Sequence, residues 1–351
     1  MEERRPRLTP AVADIRRAVR DALQSAGAPF VLVALSGGPD SLALAAATAF
    51  EASRAGIRAG AVIVDHGLQE GSDAVAGRAA GQARALGLDP VLVTRVEVAE
   101  GPASATGGAE AAARSARYAA IDAALGATGA RAVLLGHTLD DQAETVLLGL
   151  ARGAGAASLS GMAAETAPAD ADPHHPHDRS TGVAQGTRIR PLLGIRRSQT
   201  VQFCADSGLE PWHDPHNDSA EFTRVRVRRT VLPLLERELG PGIAEALART
   251  AEQLREDDET LRGLATETIE DLVEHAEAGI AISAGALAAN PPALRNRIIR
   301  YVVDSEFGVS LSRSQTLAVA ALVTDWHGQK GVDLPGIRVV RQGSLVVFSR
   351  V

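Results

Sequence analysis

The sequence has little cysteine and few aromatic residues. Cys204 is the only cysteine in 351 residues. This excludes an internal disulfide framework, a cysteine zinc cluster and any redox or sulfur-relay mechanism that needs two cysteines. Phe, Trp and Tyr make up 3% of the chain, so we do not expect a surface built from base-stacking aromatic side chains.

Long hydrophobic runs and lysine are also scarce. No apolar run approaches the ~18 residues of a membrane span, and the first residues mix both charge signs without a signal-peptide core. We therefore expect a cytoplasmic protein with no membrane partner. Lys330 is the only lysine among 36 basic residues, so the positive charge comes from arginine, which suits bidentate phosphate contacts. A net charge of -7 does not indicate nucleic-acid binding. A local cluster of arginines can still bind a phosphate backbone on a protein of negative net charge.

Two common nucleotide-binding motifs are missing. The Walker pattern, GxxxxGK followed by Ser or Thr, needs a lysine, and the only lysine is at position 330. No GxGxxG follows the first predicted strand. The chain is therefore neither a Walker NTPase nor a dinucleotide-binding fold.

A different glycine turn follows the apolar run at residues 30–35, and we call it the SGGPDS loop. Glycines allow a sharp bend that exposes backbone N–H groups. An apolar helical run comes next, so its N-terminal amides and positive dipole end would face the same anion. The loop is predicted to bind phosphate, with an ordinary strand-to-helix turn as the alternative. Its residues are Ser36, Gly37, Gly38, Pro39, Asp40 and Ser41.

Strand and helix patterns alternate through the first half of the chain. Predicted strands at 30–35, 60–64, 91–96 and 132–136 are separated by predicted helices at 40–54, 73–86 and 108–126, after an N-terminal helix at 15–26. Repeated βα units predict an α/β domain with a parallel sheet covered on both faces. Ligands of such sheets bind beyond the carboxyl ends of the strands. The SGGPDS loop, the DHGL motif (65–68) and the GHTLDDQAET motif (136–145) all fall at that edge.

Charged and imidazole side chains accompany these motifs. Asp140, Asp141 and Glu144 begin a predicted helix, with Asp141 and Glu144 on one face. They are predicted to be magnesium ligands, partners of a cationic co-substrate, or simple helix-dipole partners. Arg114 and Arg117 follow Glu110 on one helical face, either as surface ion pairs or as groups that stabilise a triphosphate.

The stretch from 186 to 230 is rich in arginine, with eight arginines against five acids. It is the best candidate for contact with a nucleic-acid backbone, with a solvated surface as the alternative. The arginines predicted to bind RNA are Arg190, Arg196, Arg197, Arg224, Arg226, Arg228 and Arg229. Before this stretch, residues 163–187 lack any apolar period and are predicted to form a mobile surface loop. Three histidines in that loop could bind a metal ion, but no partner cluster accompanies them in the sequence: His174, His175 and His177.

The last part of the chain changes character. Residues 236–277 are predicted to be long, acidic helical structure that faces solvent, with acids at 252, 256, 257, 258 and 259. From residue 280 onward we expect short helices at 292–305 and 313–325 and then a β-hairpin around Gln342 and Gly343. We therefore divide the chain into an α/β domain (1–215), a helical linker and RNA-contact region (216–280) and a small α+β domain (281–351).

The SGGPDS loop resembles the PP-loop of the N-type ATP pyrophosphatases, which cut ATP between its α and β phosphates to make an adenylate. With DHGL, a helix bearing ExxxRxxRY, GHTLDDQAET, RPLL (190–193), WHDPHND (212–218) and FTRVRVRRTVLPLL (222–235) in this order, the chain is similar to the tRNA(Ile)-lysidine synthase family. Val225 is a departure, since the family usually carries Asn there.

The resemblance implies ATP-dependent ligation of L-lysine to C2 of the wobble cytidine in the CAU anticodon of tRNA(Ile), with release of AMP and pyrophosphate. It implies ATP and Mg²⁺ as cofactors. The implied nucleotide-binding residues are those of the SGGPDS loop together with His66 and His137, although a strand-end histidine such as His66 is as well explained by a backbone contact. It further implies that Asp40 and Asp140 bind magnesium and that Arg114 and Arg117 contact the triphosphate. Asp141 and Glu144 are implied to bind lysine or to remove a proton from it.

Other functions stay open at this point. A tRNA thiolase of the same class typically needs paired cysteines, and an amidotransferase-type synthetase would need a glutaminase domain that is not visible. Another PP-loop adenylating or tRNA-modifying enzyme, or a non-catalytic regulator that binds nucleotide or RNA, are the remaining alternatives. The sequence also leaves a homodimer open.

Overall fold

A computed structural model describes residues 8–67, 71–96, 108–153, 155–166, 186–214, 221–276 and 279–351, without the side chains of 108–111 and 271–276. The predicted mobile loop, its three histidines and Asp218 lie largely or wholly outside these residues. The chain forms two compact units, Met1–Glu252 and Gln253–Val351. The boundary falls inside a helix and matches neither predicted boundary, so the three-domain division stays a prediction.

The first unit contains a six-stranded sheet in the order β3-β2-β1-β4-β6-β5. Neighbouring strands run parallel from β3 to β6, and β5 is antiparallel to β6. The strands are β1 (Phe30–Ala34), β2 (Arg58–Asp65), β3 (Val91–Arg95), β4 (Ala132–Leu134), β5 (Glu165–Thr166) and β6 (Thr187–Ile189).

Helices cover both faces of this sheet. Alternate residues of a strand point to opposite faces, and Val31 and Val33 of β1 pack with one buried cluster while Leu32 packs with Ile121 and Leu125 in another. The predicted parallel α/β fold is confirmed. The helices are α1 (Pro10–Ala26), α2 (Pro39–Ala55), α3 (Ser72–Ala85), α4 (Gly108–Thr128), α5 (Leu139–Ala151), α6 (Ala156–Leu159), α7 (Arg197–Asp206), α8 (Thr223–Arg226), α9 (Leu232–Leu239) and α10 (Ile243–Leu272).

A π-helical turn, Val227–Val231, lies between α8 and α9. The N–H of Leu232 bonds to the carbonyl of Val227, five residues back. Pro233 has no N–H to donate and its ring would crowd the carbonyl four residues earlier, which disfavours a regular α-helix here. Val225, at the position where the resembled family has Asn, is 7% exposed, so its apolar side chain is buried.

The second unit has an antiparallel sheet in the order β7-β8-β11-β10-β9. Gln342 pairs with Leu345 across a turn in which Gly343 has a φ of 61°, so the predicted hairpin is confirmed. The elements are β7 (Val273–Ala276), β8 (Gly279–Ser283), α11 (Ala284–Ala289), α12 (Pro292–Phe307), α13 (Arg313–Thr324), β9 (Val332–Leu334), β10 (Ile337–Gln342) and β11 (Leu345–Arg350).

Two expectations about residues 236–277 are wrong in part. The helical structure ends at Leu272, and residues 273–276 form β7 instead. Asp258 is 7% exposed rather than solvent-facing, because Arg262 and Arg297 both bind its carboxylate. The other four acids of that run are exposed as expected. Among the described residues, no helix is both long and apolar enough to cross a membrane.

Candidate active site

The SGGPDS loop lies between β1 and α2, at the carboxyl edge of the sheet. Gly37 has a φ of 86°, which side chains other than glycine rarely allow. The Ser36 N–H donates to Ser41 Oγ at 3.2 Å, and Ser41 Oγ in turn donates to the Gly38 carbonyl at 3.1 Å. Gly38 caps α2 and Pro39 occupies its first turn. The loop is therefore held by its own serines at a helix N-terminus, a geometry suited to an anion.

Gly136, which follows β4, packs against the start of α2. A Cβ at this position would lie 3.1 Å from the Ser41 backbone nitrogen and 3.2 Å from the Asp40 carbonyl carbon. These neighbours are backbone atoms, so a side chain would require the loop to move. In the sequence, Gly136 stood out only as the first residue of the GHTLDDQAET motif.

We expect Gly136→Ala to destabilise the protein by about 1–3 kcal/mol, the usual cost of overpacking, and to weaken the nucleotide binding predicted for the SGGPDS loop by shifting that loop. Chemical denaturation and nucleotide titration measure the two effects. Gly81→Ala in α3 is the matched control, because a Cβ there meets nothing within 4 Å and alanine is favoured over glycine in helices. Equal stability and nucleotide affinity for Gly136→Ala and wild type would contradict this account of the close approach.

Four carboxylates gather at this edge of the sheet, and we call them the carboxylate cluster: Asp40, Asp140, Asp141 and Glu144. Asp141 Oδ2 accepts hydrogen bonds from the Thr138 N–H at 2.7 Å and its hydroxyl at 2.8 Å, so this carboxylate also caps α5. Glu144 has no solvent-exposed surface. Asp40 accepts a hydrogen bond from the Thr200 hydroxyl.

Arg197 lies at the centre of the cluster. Its guanidinium bonds to Asp141 Oδ1 at 2.6 Å, Asp40 Oδ2 at 3.3 Å and Glu144 Oε1 at 3.3 Å. The Arg197 backbone N–H donates to Asp140 Oδ2 at 2.7 Å. One residue, at the start of α7, therefore contacts all four carboxylates.

These contacts shift the pKa values in opposite directions. Burial raises the pKa of Asp40, and the opposing effects of Arg197 and Thr200 do not cancel it. Burial would also raise the pKa of Asp141, but Arg197 and the Thr138 hydrogen bonds outweigh it and lower that pKa. Burial disfavours charge on Arg197, yet Asp141, Asp40 and Glu144 raise its pKa overall. Neighbouring carboxylates thus differ in how readily they take a proton.

Two further arginines complete the cluster. Arg228, on the π-helical turn, donates to Glu144 from Nε at 2.7 Å and from Nη2 at 3.2 Å. Arg196 lies 3.3 Å from Asp140 and 3.0 Å from Glu245.

Two arginines of α4 and two histidines that follow β2 and β4 add basic groups to this edge of the sheet. Arg117 of α4 donates to His66 Nε2 at 3.2 Å, and Arg114 donates to the Tyr118 hydroxyl at 3.3 Å. Burial lowers the pKa of Arg117 and of His66. Within the described part of the chain, His66 Nδ1 and His137 Nδ1 are buried and lack hydrogen-bond partners. Buried nitrogen atoms of this kind are rare unless a ligand or water completes them.

The pKa of His137 is shifted more strongly than that of His66. Burial lowers its pKa to about 4, with smaller contributions from Arg190, Arg114 and Arg117 and opposition from Asp141. The imidazole is therefore neutral near pH 7 and acts as a polar contact rather than a cation.

This shift predicts a pH dependence of stability. Between pH 6.5 and about 4 the unfolded chain binds a proton at His137 that the folded protein does not, so acidification favours unfolding. We expect a loss of about 1–2 kcal/mol between pH 7 and pH 5, measured by denaturant unfolding, with a contribution of the same sign from His66. His137→Gln should reduce that loss. Parallel curves for the variant and the wild type would contradict the assignment.

The seven arginines predicted to bind RNA have different surroundings. Arg197 and Arg228 contact the carboxylate cluster, and Arg196 contacts one of its members. Arg190 is 8% exposed and donates to the Ala163 carbonyl and the Thr166 hydroxyl. The remaining three are on α8 and the π-helical turn, half-buried at Arg224 and exposed at Arg226 and Arg229.

Thr200, Gly136 and the carboxylate contacts of Arg197 and Arg228 belong to the site but were not predicted from the sequence. The only available signals were that Gly136 and Arg228 stand in motifs of the resembled family, whereas Arg197 and Thr200 stand in none of them.

Comparisons with known proteins cover both units. A model of the PP-loop domain matches residues 12–235, and a model of the TilS substrate binding domain matches residues 283–345. A tRNA(Ile)-lysidine synthase of Leifsonia xyli subsp. xyli is 62% identical over 319 residues, which cover 91% of this chain and 89% of that protein. The enzyme of Thermobifida fusca is 48% identical over 96% of this chain and 98% of its own length.

A solved structure also resembles the chain. A U34-tRNA thiolase of Methanococcus maripaludis superimposes with a TM-score of 0.56 at 18% identity, covering 70% of this chain and 80% of the thiolase. At this identity the likeness concerns the fold alone.

Proposed function

The chain belongs to the tRNA(Ile)-lysidine synthase family, and from this membership and the geometry of the site we propose that it joins L-lysine to C2 of the wobble cytidine in the CAU anticodon of tRNA(Ile). ATP is consumed and AMP and pyrophosphate are released. The observation that carries the proposal is that the SGGPDS loop and the carboxylate cluster lie together, linked through Asp40 and Arg197. An anion-binding loop and a cation-binding cluster are what ATP and lysine require.

The first half of the reaction activates the base, because the cytosine O2 is a poor leaving group. O2 attacks the α-phosphorus of ATP and pyrophosphate leaves, giving an O2-adenylated cytidine. The loop amides and the N-terminus of α2 support stabilisation of the departing pyrophosphate. Arg114 and Arg117 add positive charge, and the unpartnered nitrogens of His66 and His137 can bind the nucleotide.

Magnesium fits this site in a limited way. Among the described residues, no three His, Cys, Asp or Glu side chains are arranged to hold a metal ion. Magnesium bound with ATP usually takes only one or two carboxylates, the rest being phosphate and water. Asp40, within the SGGPDS loop, and Asp140, which also contacts Arg197, supply oxygens of the right kind. When bound, the ion would neutralise phosphate charge.

The second half of the reaction attaches lysine. The ε-amine attacks C2, a proton is lost and AMP leaves with the former O2. We assign Asp141 and Glu144 to holding the lysine ammonium or accepting that proton. Asp141 is the more accessible, with 15% of its side chain exposed against 0% for Glu144. Any ammonium bound there must share oxygens with Arg197.

RNA contact is assigned to the arginines on α8 and the π-helical turn. Arg226 and Arg229 are exposed and Arg224 is half-buried, and positive charge of this kind attracts the phosphate backbone. We propose that the enzyme acts in the cytoplasm, where its tRNA is found. That it forms a homodimer stays a prediction.

The properties of Cys204 argue against a thiolase function for this chain. Cys204 is buried, its Sγ donates to the Pro39 carbonyl at 3.5 Å, and burial together with Asp40 raises the pKa of its thiol to about 11. A thiol held protonated is a poor nucleophile, and no second cysteine exists to relay sulfur.

Incubation with ATP, labelled lysine and a tRNA(Ile) transcript tests the proposal. We expect label to enter a CAU transcript but not its UAU variant, with pyrophosphate release in step. ATP binding without pyrophosphate release would instead support a non-catalytic regulator. Pyrophosphate release without lysine transfer would indicate another adenylating enzyme.

A further inference from the structure

Arg228 belongs to two parts of the site at once. It is carried by the π-helical turn between the exposed Arg226 and Arg229, and its guanidinium makes a two-point contact with Glu144. A two-point guanidinium–carboxylate contact fixes orientation as well as distance. We call residues 223–231 the arginine segment.

The arginine segment also packs on the helix that carries the cluster. Val227 of the segment, with Leu232 directly after it, forms a buried group with Leu139, Ala143 and Leu148 of α5. Asp141 and Glu144 are on the same helix, between those apolar positions. The segment and the carboxylates therefore share both an apolar contact and an ion pair.

We propose that Arg228 is a positioning residue for lysine attack: by holding buried Glu144 it fixes the carboxylates that receive lysine, and it makes their arrangement depend on the segment that contacts tRNA. This rests on the proposed function, and it adds a role for Arg228 that differs from direct contact with RNA. The π-helical turn supports it, because such turns often occur where a helix presents a functional side chain.

The contacts explain how the effect would reach lysine. Glu144 Oε1 is shared between Arg228 at 2.7 Å and Arg197 at 3.3 Å. Without Arg228, buried Glu144 would lose its nearer partner and draw Arg197 away from Asp141, since an unpaired buried charge is costly. The arrangement of negative charge at Asp141 and Glu144, where the lysine ammonium would bind, would then change. Because binding linkage is reciprocal, tRNA held by the segment should also favour lysine binding.

The test separates the two half-reactions. In Arg228→Gln we expect the lysine KM, measured with saturating tRNA(Ile) transcript and ATP, to rise roughly tenfold to a hundredfold, the usual cost of losing a supporting contact. Pyrophosphate release in a single turnover without lysine should stay within about threefold of wild type. Loss of a residue needed only for folding would instead slow both half-reactions, pyrophosphate release and lysine attachment. Arg228→Lys, which keeps the charge but loses the two-point contact, should give a smaller rise in lysine KM.

Arg226→Gln is the matched comparison. Arg226 is two residues away and bonds to the Glu221 carbonyl and the Thr223 hydroxyl rather than to the cluster, so its loss should raise the KM for tRNA without raising that for lysine. If Arg228 acts through Glu144, Glu144→Gln combined with Arg228→Gln should be no worse for lysine KM than Glu144→Gln alone.

Three results would overturn the inference: an unchanged lysine KM in Arg228→Gln, equal losses in the two half-reactions, or additive losses in the double variant. If Arg228→Gln does not fold, Arg228→Lys with an unchanged lysine KM would overturn it as well. Failure of the wild-type chain to attach lysine at all would instead contradict the proposed function.

Discussion

Asp40→Asn should lower the rate of pyrophosphate release by roughly 10²–10³-fold, the loss typical of removing one group that stabilises developing charge. Asp40 is the fifth residue of the SGGPDS loop, and its oxygens bond to Thr200 and Arg197. Asparagine preserves the size of the side chain but removes the charge that would place magnesium. Single-turnover release of labelled pyrophosphate from ATP, with tRNA present and lysine absent, measures the effect.

A slow rate in Asp40→Asn could come from a disturbed fold or from the missing negative charge, and two controls separate these causes. Asp21→Asn on α1, an exposed acid outside the site, should keep the wild-type rate. Raising the magnesium concentration should partly restore Asp40→Asn if its defect is in metal placement. A rate within threefold of wild type in a folded Asp40→Asn protein would show that this carboxylate is only a helix-N-terminal acid.

Asp141→Asn and Glu144→Gln should each raise the lysine KM by roughly tenfold to a hundredfold or lower the turnover with lysine, by analogy with losing one partner of a desolvated charge pair. Pyrophosphate release without lysine should be much less affected. The Glu144 variant should also be less stable, because Arg197 and Arg228 would lose a shared buried counter-charge. Steady-state kinetics in lysine and denaturant unfolding measure the two effects.

The first unit contains a matched control for a buried, ion-paired glutamate. Glu51 is 3% exposed, and Arg20 bonds to its oxygens at 2.8 and 3.0 Å. Glu51→Gln should lower stability without raising the lysine KM. The assignment of lysine to this cluster would be wrong if both cluster variants kept the wild-type lysine KM and turnover.

The sequence predicted those secondary-structure elements whose residues restrict the backbone locally. The strand–loop–helix around Ser36 was predictable because an apolar run, two glycines and a proline each restrict the backbone in the same direction. The C-terminal hairpin was predictable because Gly343 marks the turn between two β runs. Strand β6 was not, since three residues provide no measurable period. Strand β7 was missed because its four residues follow a 30-residue helix without a clear break in composition.

The site was less predictable than the fold. Local charge counting grouped Arg197 and Arg228 with the other arginines, whereas their partners lie far away in sequence, at Asp40 and Glu144. Only the fold brings α7 and the π-helical turn to the start of α5. The Asp141 cap was locally predictable, because Thr138 stands three residues earlier, and its double role in the cluster was not.

The burial of Cys204 beneath Pro39 has a practical consequence for following the arginine segment in solution. Its protonated, inaccessible thiol should react slowly with maleimide dyes at neutral pH. A cysteine introduced at an exposed position such as Thr230 would then be the one fast-reacting thiol. A single fluorophore could be attached there without first removing a native residue, and its emission would report directly on what tRNA does to the segment.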